Sequence, residues 1–162
     1  GPMIKNLDIP FPEFGLPASL EGGAHSDFFM FAAECKNKAV YLASPYSSQP
    51  TYQPDSGVSS AVMEERGRVT AKITEWLLRK GIWAFSPIVY GEAIKGRDHK
   101  MGAHDKGFWM RVDFHLFKGF DVLAVLALPG WRKSPGVDDE VGWALTMNKP
   151  VFILKPDDEW YR

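Results

Sequence analysis

The chain has 162 residues, with 19 Lys and Arg against 20 Asp and Glu, 45% hydrophobic content and 14% aromatic content, which suits one domain with a sizeable core. A net charge of −1 provides no global field for nucleic acid or an anionic membrane surface, so a small soluble partner is expected. The single cysteine, Cys35, cannot form an internal disulfide, and no apolar run approaches the roughly 18 residues of a membrane span, so a reducing cytoplasmic setting is expected.

Gly1-Pro2 ahead of Met3 reads as a protease scar, and no signal peptide follows it. Residues 1–37 read as an arm, because Pro10, Pro12, Pro17 and Gly22-Gly23 interrupt any helical or strand period. Its aromatics, Phe11, Phe14, Phe28, Phe29 and Phe31, predict that it packs on the domain or on a second subunit. The domain itself is expected over residues 38–162.

Ala39 to Ala43 reads as the first strand, and Ser44-Pro45-Tyr46-Ser47-Ser48 as the turn that leaves it, where substrate contacts could begin. Residues 49–60 are longer than the usual connection of about 2–6 residues, and read either as a lid or as an insertion without a role. A helix follows from Ser60 to about Lys80, capped by Ser59 or Ser60 and closed by Gly81, with Val62, Val69, Ile73, Trp76 and Leu77 as its apolar stripe. Arg66 lies on that stripe near the strand tips. It is placed to hold an anion, or else packs its stem and sends its head to solvent.

Ile82 to Phe85 reads as a second strand, with Ser86 to Gly91 as the loop at its carboxyl end. Residues 96–107 form a polar loop bearing His99 and His104, whose spacing matches no dedicated metal pattern. In the next helix, from about Phe108 to Phe120, Asp113 shares a stripe with Leu116, Phe117 and Phe120. A carboxyl on an apolar face is suited to general-acid work through a raised pKa. The plainer reading is a buried aspartate hydrogen-bonded to backbone.

Asp121 to Leu128 is a continuous apolar run, the mark of a parallel strand buried on both faces. After a Gly/Pro/Ser loop, Asp138, Asp139 and Glu140 read as the opening of a helix whose apolar positions are Val141, Ala144 and Leu145. Glu140 is then a first-turn carboxylate at the carboxyl end of the central strand, where open α/β sheets bind ligands. Asp138 and Asp139 read as caps that complement the helix dipole. Asn148-Lys149-Pro150 turns into a last strand, Val151 to Leu154. The alternation of strands and helices predicts an α/β domain with a parallel sheet of four or five strands and helices on both faces. No Gly-rich phosphate loop is present, so neither a nicotinamide cofactor nor ATP chemistry is expected.

Tyr41-Leu-Ala-Ser-Pro-Tyr46, Phe85-Ser-Pro87, Asp113 eight residues before Asp121, and Ser134-x-Gly136-Val137-x-x-Glu140 ahead of Lys149-Pro150-Val151 together resemble the nucleoside 2-deoxyribosyltransferase superfamily. The resemblance spans residues 39–154 and is nearest the branch that hydrolyses nucleoside 5′-monophosphates, with its small phage and bacterial relatives. It implies a flavodoxin-like doubly wound fold, a nucleotide substrate, no cofactor and no metal, and a homodimer whose sites are completed across the interface. It also implies that Glu140 attacks the anomeric carbon while Asp113 assists the leaving base. Ser134 stands where the hydrolases carry a phosphate-accepting serine and the transferases an aspartate for a free 5′-hydroxyl. Substrate contacts are further expected from Ser44, Tyr46, Ser86, Pro87, Trp109, Gly136 and Arg66. The chain departs from the hydrolases in carrying Tyr46 where they have arginine, in the acidic pair Asp138-Asp139, and in a short tail where the family has a fifth strand. A base-exchanging transferase and a non-catalytic nucleotide-binding module are the alternatives.

Overall fold

A computed structural model describes residues 4–7, 31–47, 59–94 and 106–155. The expected lid over residues 49–60 lies outside them apart from its last two residues. Most of the polar loop 96–107, with His99 and His104, and most of the arm also lie outside. The elements in chain order are β1 (Ile4–Leu7), β2 (Ala39–Ala43), α1 (Ser60–Arg79), β3 (Trp83–Phe85), α2 (Pro87–Ile94), α3 (Lys106–Phe117), β4 (Val122–Leu126), a 3-10 turn (Trp131–Lys133), α4 (Pro135–Thr146) and β5 (Val151–Leu154).

The strands form one parallel sheet in the order β1-β5-β4-β2-β3. Its fifth member comes from the arm: Ile4–Leu7 pairs residue for residue with Val151–Leu154 and covers an edge that would otherwise be bare. The arm also ends inside the domain, since residues 31–35 are helical and Phe31 and Cys35 are fully buried. Phe31 meets Phe152 of β5 edge-on at 5.0 Å between ring centroids.

The chain travels from β2 outward to β3, then back across β2 to β4 and on to β5. Parallel crossovers are right-handed, so reversing the direction of travel moves the connecting helix to the other face. Accordingly Val69, Ile73 and Leu77 of α1 pack on Val40, Leu42 and Ala124, whereas Phe117 of α3 and Val137 and Ala144 of α4 pack on Tyr41, Leu123 and Val125. This is the doubly wound, flavodoxin-like arrangement. Burial of each large aliphatic side chain in the two layers stabilises by about 1.5–3 kcal/mol. Among the described residues, no helix is long and apolar enough to cross a membrane.

Local signals explain the element ends. The Ser59 hydroxyl accepts from the Val62 N–H at 3.3 Å and caps α1, and Gly81 (φ 81) closes it in the left-handed region that glycine enters without strain. Several boundaries differ from the sequence reading, among them the end of α3, at Phe117 rather than Phe120. Residues 87–94 form α2 rather than a loop, because Ser86 accepts from the Val89 N–H at 3.1 Å as a cap and Pro87 occupies the first helical position. By the same device Ser134 accepts from the Val137 N–H at 3.3 Å and Pro135 opens α4. That places Glu140 in the second turn, not the first.

Candidate active site

The order of travel reverses at β2 and β4, which are neighbours whose following helices lie on opposite faces. At their carboxyl ends the outgoing loops part, and such a crevice is where doubly wound sheets bind ligands. Arg66 sits beneath it. The side chain is 6% exposed, and its guanidinium donates to the Tyr46 carbonyl at 2.7 Å and to the Pro129 carbonyl at 2.9 Å. One side chain therefore ties the loop leaving β2 to the loop leaving β4. Burial lowers its pKa from the usual arginine value, yet it remains a cation at any working pH. The expectation of a head sent to solvent does not hold, since the side chain is buried; the guanidinium spends two of its five donors on these backbone carbonyls.

On the α3/α4 face, Glu140 is 5% exposed. Its carboxyl is pushed up to about 8, chiefly by burial, with the Tyr41 hydroxyl opposing the rise and the Asp113 and Asp139 charges adding to it. Asp113 is half-buried with its Oδ1 atom inside, and burial pushes it to about 6. That Oδ1 accepts no hydrogen bond, so the plainer reading, an aspartate held by backbone, does not apply to it. Of its expected stripe, Phe117 is fully buried but Leu116 is 38% exposed, because α3 ends at Phe117 and turns away.

Tyr41 completes this group and was quoted in the sequence only as part of a motif. It is fully buried on β2, its ring held edge-on by Phe117 at 5.2 Å and Phe120 at 5.7 Å. The hydroxyl neighbours Glu140, and both carboxyls together with burial push its pKa far up, so it is a neutral donor throughout. It nevertheless stops short of hydrogen-bond geometry with any group. The available signal was a phenol in the middle of a strand that otherwise carries only aliphatic side chains, a polar atom that a fully buried parallel strand does not need.

Among the described residues, the buried side-chain oxygens without a hydrogen bond are Tyr41 Oη, Ser44 Oγ and Asp113 Oδ1. Ser44 is 5% exposed and directly follows β2. Native interiors pair nearly all such atoms, so the Tyr41 and Asp113 orphans, both within electrostatic reach of Glu140, mark a place for polar groups of a ligand. The other expected contacts fall around them. Ser86 (3% exposed) and Pro87 start α2 beside β3, Ser134 (5% exposed) and Gly136 start α4, and Trp109 stands one helical turn before Asp113, where a Cβ on Gly91 would lie 4.0 Å from its ring. Ser86 and Ser134 use their oxygens as caps, which leaves each hydroxyl proton available as a donor. Asp138 and Asp139 are exposed, but neither caps α4, since Ser134 is its cap and only Asp138 lies in the first turn, where it complements the dipole. An open groove of about 560 Å³ borders the other side of α4, along Trp131, Asp138, Val141 and Leu145. Glu140 lies about half a helical turn away from that lining and does not face it. No cluster of three metal-ligating side chains occurs among the described residues.

Residues 38–156, more than half of the chain, match a family described as Domain of unknown function (DUF1937), and the chain belongs to that family. No curated protein matches it.

Proposed function

We propose that the protein cleaves the N-glycosidic bond of a nucleoside or deoxynucleoside 5′-monophosphate, giving the free base and (deoxy)ribose 5-phosphate. The observation that carries this reading is the pair of carboxyls, Glu140 and Asp113, drawn out of water beside the unpartnered Tyr41 hydroxyl at the ligand-binding end of the sheet. The motif order that resembles nucleoside 2-deoxyribosyltransferases supports it.

In the first half-reaction an oxygen of ionised Glu140 bonds to C1′ as the C1′–N bond breaks, and the Asp113 proton passes to the departing base. Ionised Asp113 then takes a proton from water, whose oxygen displaces Glu140 from C1′ and restores the starting pair. Between pH about 6 and about 8 the two carboxyls hold one proton between them. Burial rests that proton on Glu140. Positive charge developing at C1′, with the Tyr41 hydroxyl turned to donate, favours ionised Glu140 and transfers the proton to Asp113 without changing the charge of the pair. The Gly136 N–H and the Ser134 hydroxyl proton at the start of α4, with the helix dipole, offer an anion site for the 5′-phosphate. Serine rather than aspartate at position 134 favours hydrolysis over base exchange.

Incubation with a panel of nucleosides and 5′-monophosphates, followed by chromatography for free base, tests the reading. Release from monophosphates in water is the expected result. Base exchange without net hydrolysis would identify the transferase instead, and saturable nucleotide binding without turnover would identify a binding module. A homodimer belongs to the same proposal, supported by the exposed Trp83 and Tyr90 beside the outer strand β3; light scattering at working concentration is its test, and a fully active monomer would remove it.

A further inference from the structure

Lys149 follows α4 and takes no part in the site described above. Its backbone closes α4. Asn148 adopts the left-handed region (φ 61), its N–H donates to Leu145 O at 3.3 Å, and the Lys149 N–H donates to Ala144 O at 2.8 Å. That pair of bonds closes the helix as a Schellman motif. The Lys149 side chain belongs to α3. Its Nζ donates to the carbonyls of Phe117 (3.0 Å), Lys118 (2.9 Å) and Phe120 (2.7 Å), of which Phe117 O also accepts from the Phe120 N–H and the other two are left open where the helix ends. All three ammonium protons are thereby engaged, and the charge complements the negative end of the α3 dipole. A single residue thus closes the carboxyl ends of both helices that carry the acids.

The anchored turn connects directly to the site. Phe117 and Phe120 are the rings that meet Tyr41 edge-on, and Phe117 and Phe114 meet Trp143 of α4 at 5.8 and 5.2 Å. Asp113 stands one turn before Phe117 on α3, and Trp143 lies three residues after Glu140 on α4. The sideways setting of one helix against the other and the tilt of the Tyr41 ring are therefore referred to the same three carbonyls.

We infer that Lys149 is a positioning residue: its bracket across the ends of α3 and α4 sets the approach of Asp113 to Glu140 and the angle at which Tyr41 presents its hydroxyl. A helix-capping cation alone would contribute about 0.3–1 kcal/mol and leave the acids where they are. Without these donors, the Lys118 and Phe120 carbonyls at the helix junction must find water while Phe117 O keeps only the Phe120 N–H, the turn at 118–120 opens, and the aromatic contacts that hold Tyr41 loosen with it. The service to catalysis rests on the function proposed above. The geometric claim does not.

The test is carboxyl-carbon NMR titration of Glu140 and Asp113 in the full chain, alongside base release, for the natural protein and for Lys149→Met. Methionine keeps the apolar stem over the Phe117 ring and removes the donors. As the two acids separate and water enters, the Glu140 midpoint is expected to fall by at least about half a pH unit. Meanwhile kcat is expected to drop at least about tenfold, with KM changed by less than about threefold. If Lys149→Met titrates like the natural protein while only its Tm falls, Lys149 is a simple staple and the inference is overturned. Should that variant not fold, Lys149→Gln, which removes the charge and keeps two shorter-reaching N–H donors, carries the same titration and the same overturning result. A natural protein that releases no base defeats the proposed function but leaves the titration to judge the bracket.

Discussion

The two faces of the sheet treat their polar groups in opposite ways. On the α1 face, Arg66 is buried but gives hydrogen bonds to the Tyr46 and Pro129 carbonyls, and the Thr70 hydroxyl donates to the Arg66 carbonyl at 2.7 Å. Polar atoms there hold backbone in place. On the α3/α4 face, Tyr41 Oη and Asp113 Oδ1 are buried without partners, and Glu140 is held where its charged form is disfavoured. Those atoms destabilise the empty protein. The contrast separates a face built for stability from a face that retains an energetic cost, which the proposed function would use.

If that division is right, substitutions on the α3/α4 face reduce activity and spare or improve stability. The largest effect belongs to Glu140→Ala, which should lower base release by at least about 10⁴-fold, as loss of a nucleophile does; near-normal turnover with an intact circular dichroism spectrum would reduce Glu140 to a buried spectator. Asp113→Asn should slow cleavage by about 10²–10⁴, the range of one acid-base group, and less for good leaving bases. Equal slowing across good and poor leaving groups would instead give Asp113 a positioning task.

Stability measurements sharpen the same comparison. Arg66→Met, on the α1 face, should lower unfolding free energy by about 2–4 kcal/mol, since two loop carbonyls lose a charged donor; a variant of natural stability that has lost turnover would place function on both faces. Glu140→Gln should act in the other direction. The folded-state pKa of Glu140 is raised from 4.5 to about 8, so its favourable contribution is complete below about pH 4.5 and is lost as pH rises through about 8. Denaturant unfolding of the natural protein should therefore weaken between pH 5 and 8.5, by up to roughly 2–4 kcal/mol from this residue, and Glu140→Gln should remove that slope and be the more stable protein at the alkaline end. A natural protein whose stability does not change over this range would mean that Glu140 titrates normally. The smallest effect expected is substrate preference: kcat/KM should favour a 5′-monophosphate over its nucleoside by at least about tenfold, or ~1.4 kcal/mol, and Ser134→Asp should shrink or reverse it.

Strands β2, β4 and β5 and helix α1 were legible because continuous apolar runs and a clean 3.6-residue stripe leave few alternatives. The start of α4 was not, since three successive acids imitate a first turn more convincingly than Ser134-Pro135 does. Helix α2 was hidden by Ile88-Val89-Tyr90, residues that favour strands until a serine cap and a leading proline fix their backbone. Glu140 and Asp113 could be found as candidates, one from its place after the central strand and one from an acid on an apolar stripe. Their environment could not. Burial of Glu140 depends on Tyr41, on Asp113 and on the α3/α4 seam, contacts between segments tens of residues apart. The four residues of β1 carry too little pattern to be read as a strand at all, and only pairing with β5 gives them one.

That pairing bears on where the protein can be cut. The family match begins at residue 38, and a fragment trimmed to it would keep both carboxyls, both loops and helices α1 to α4, while losing the helical residues 31–35 with buried Phe31 and Cys35. It would also strip Ile4–Leu7 from β5, leaving Val151–Leu154, four buried hydrophobic residues, as a flat unpaired ladder that any similar strand can extend. A fragment with both buried carboxyls in place would thus be prone to polymerise edge to edge, and the sequence upstream of the family boundary acts as the guard against it.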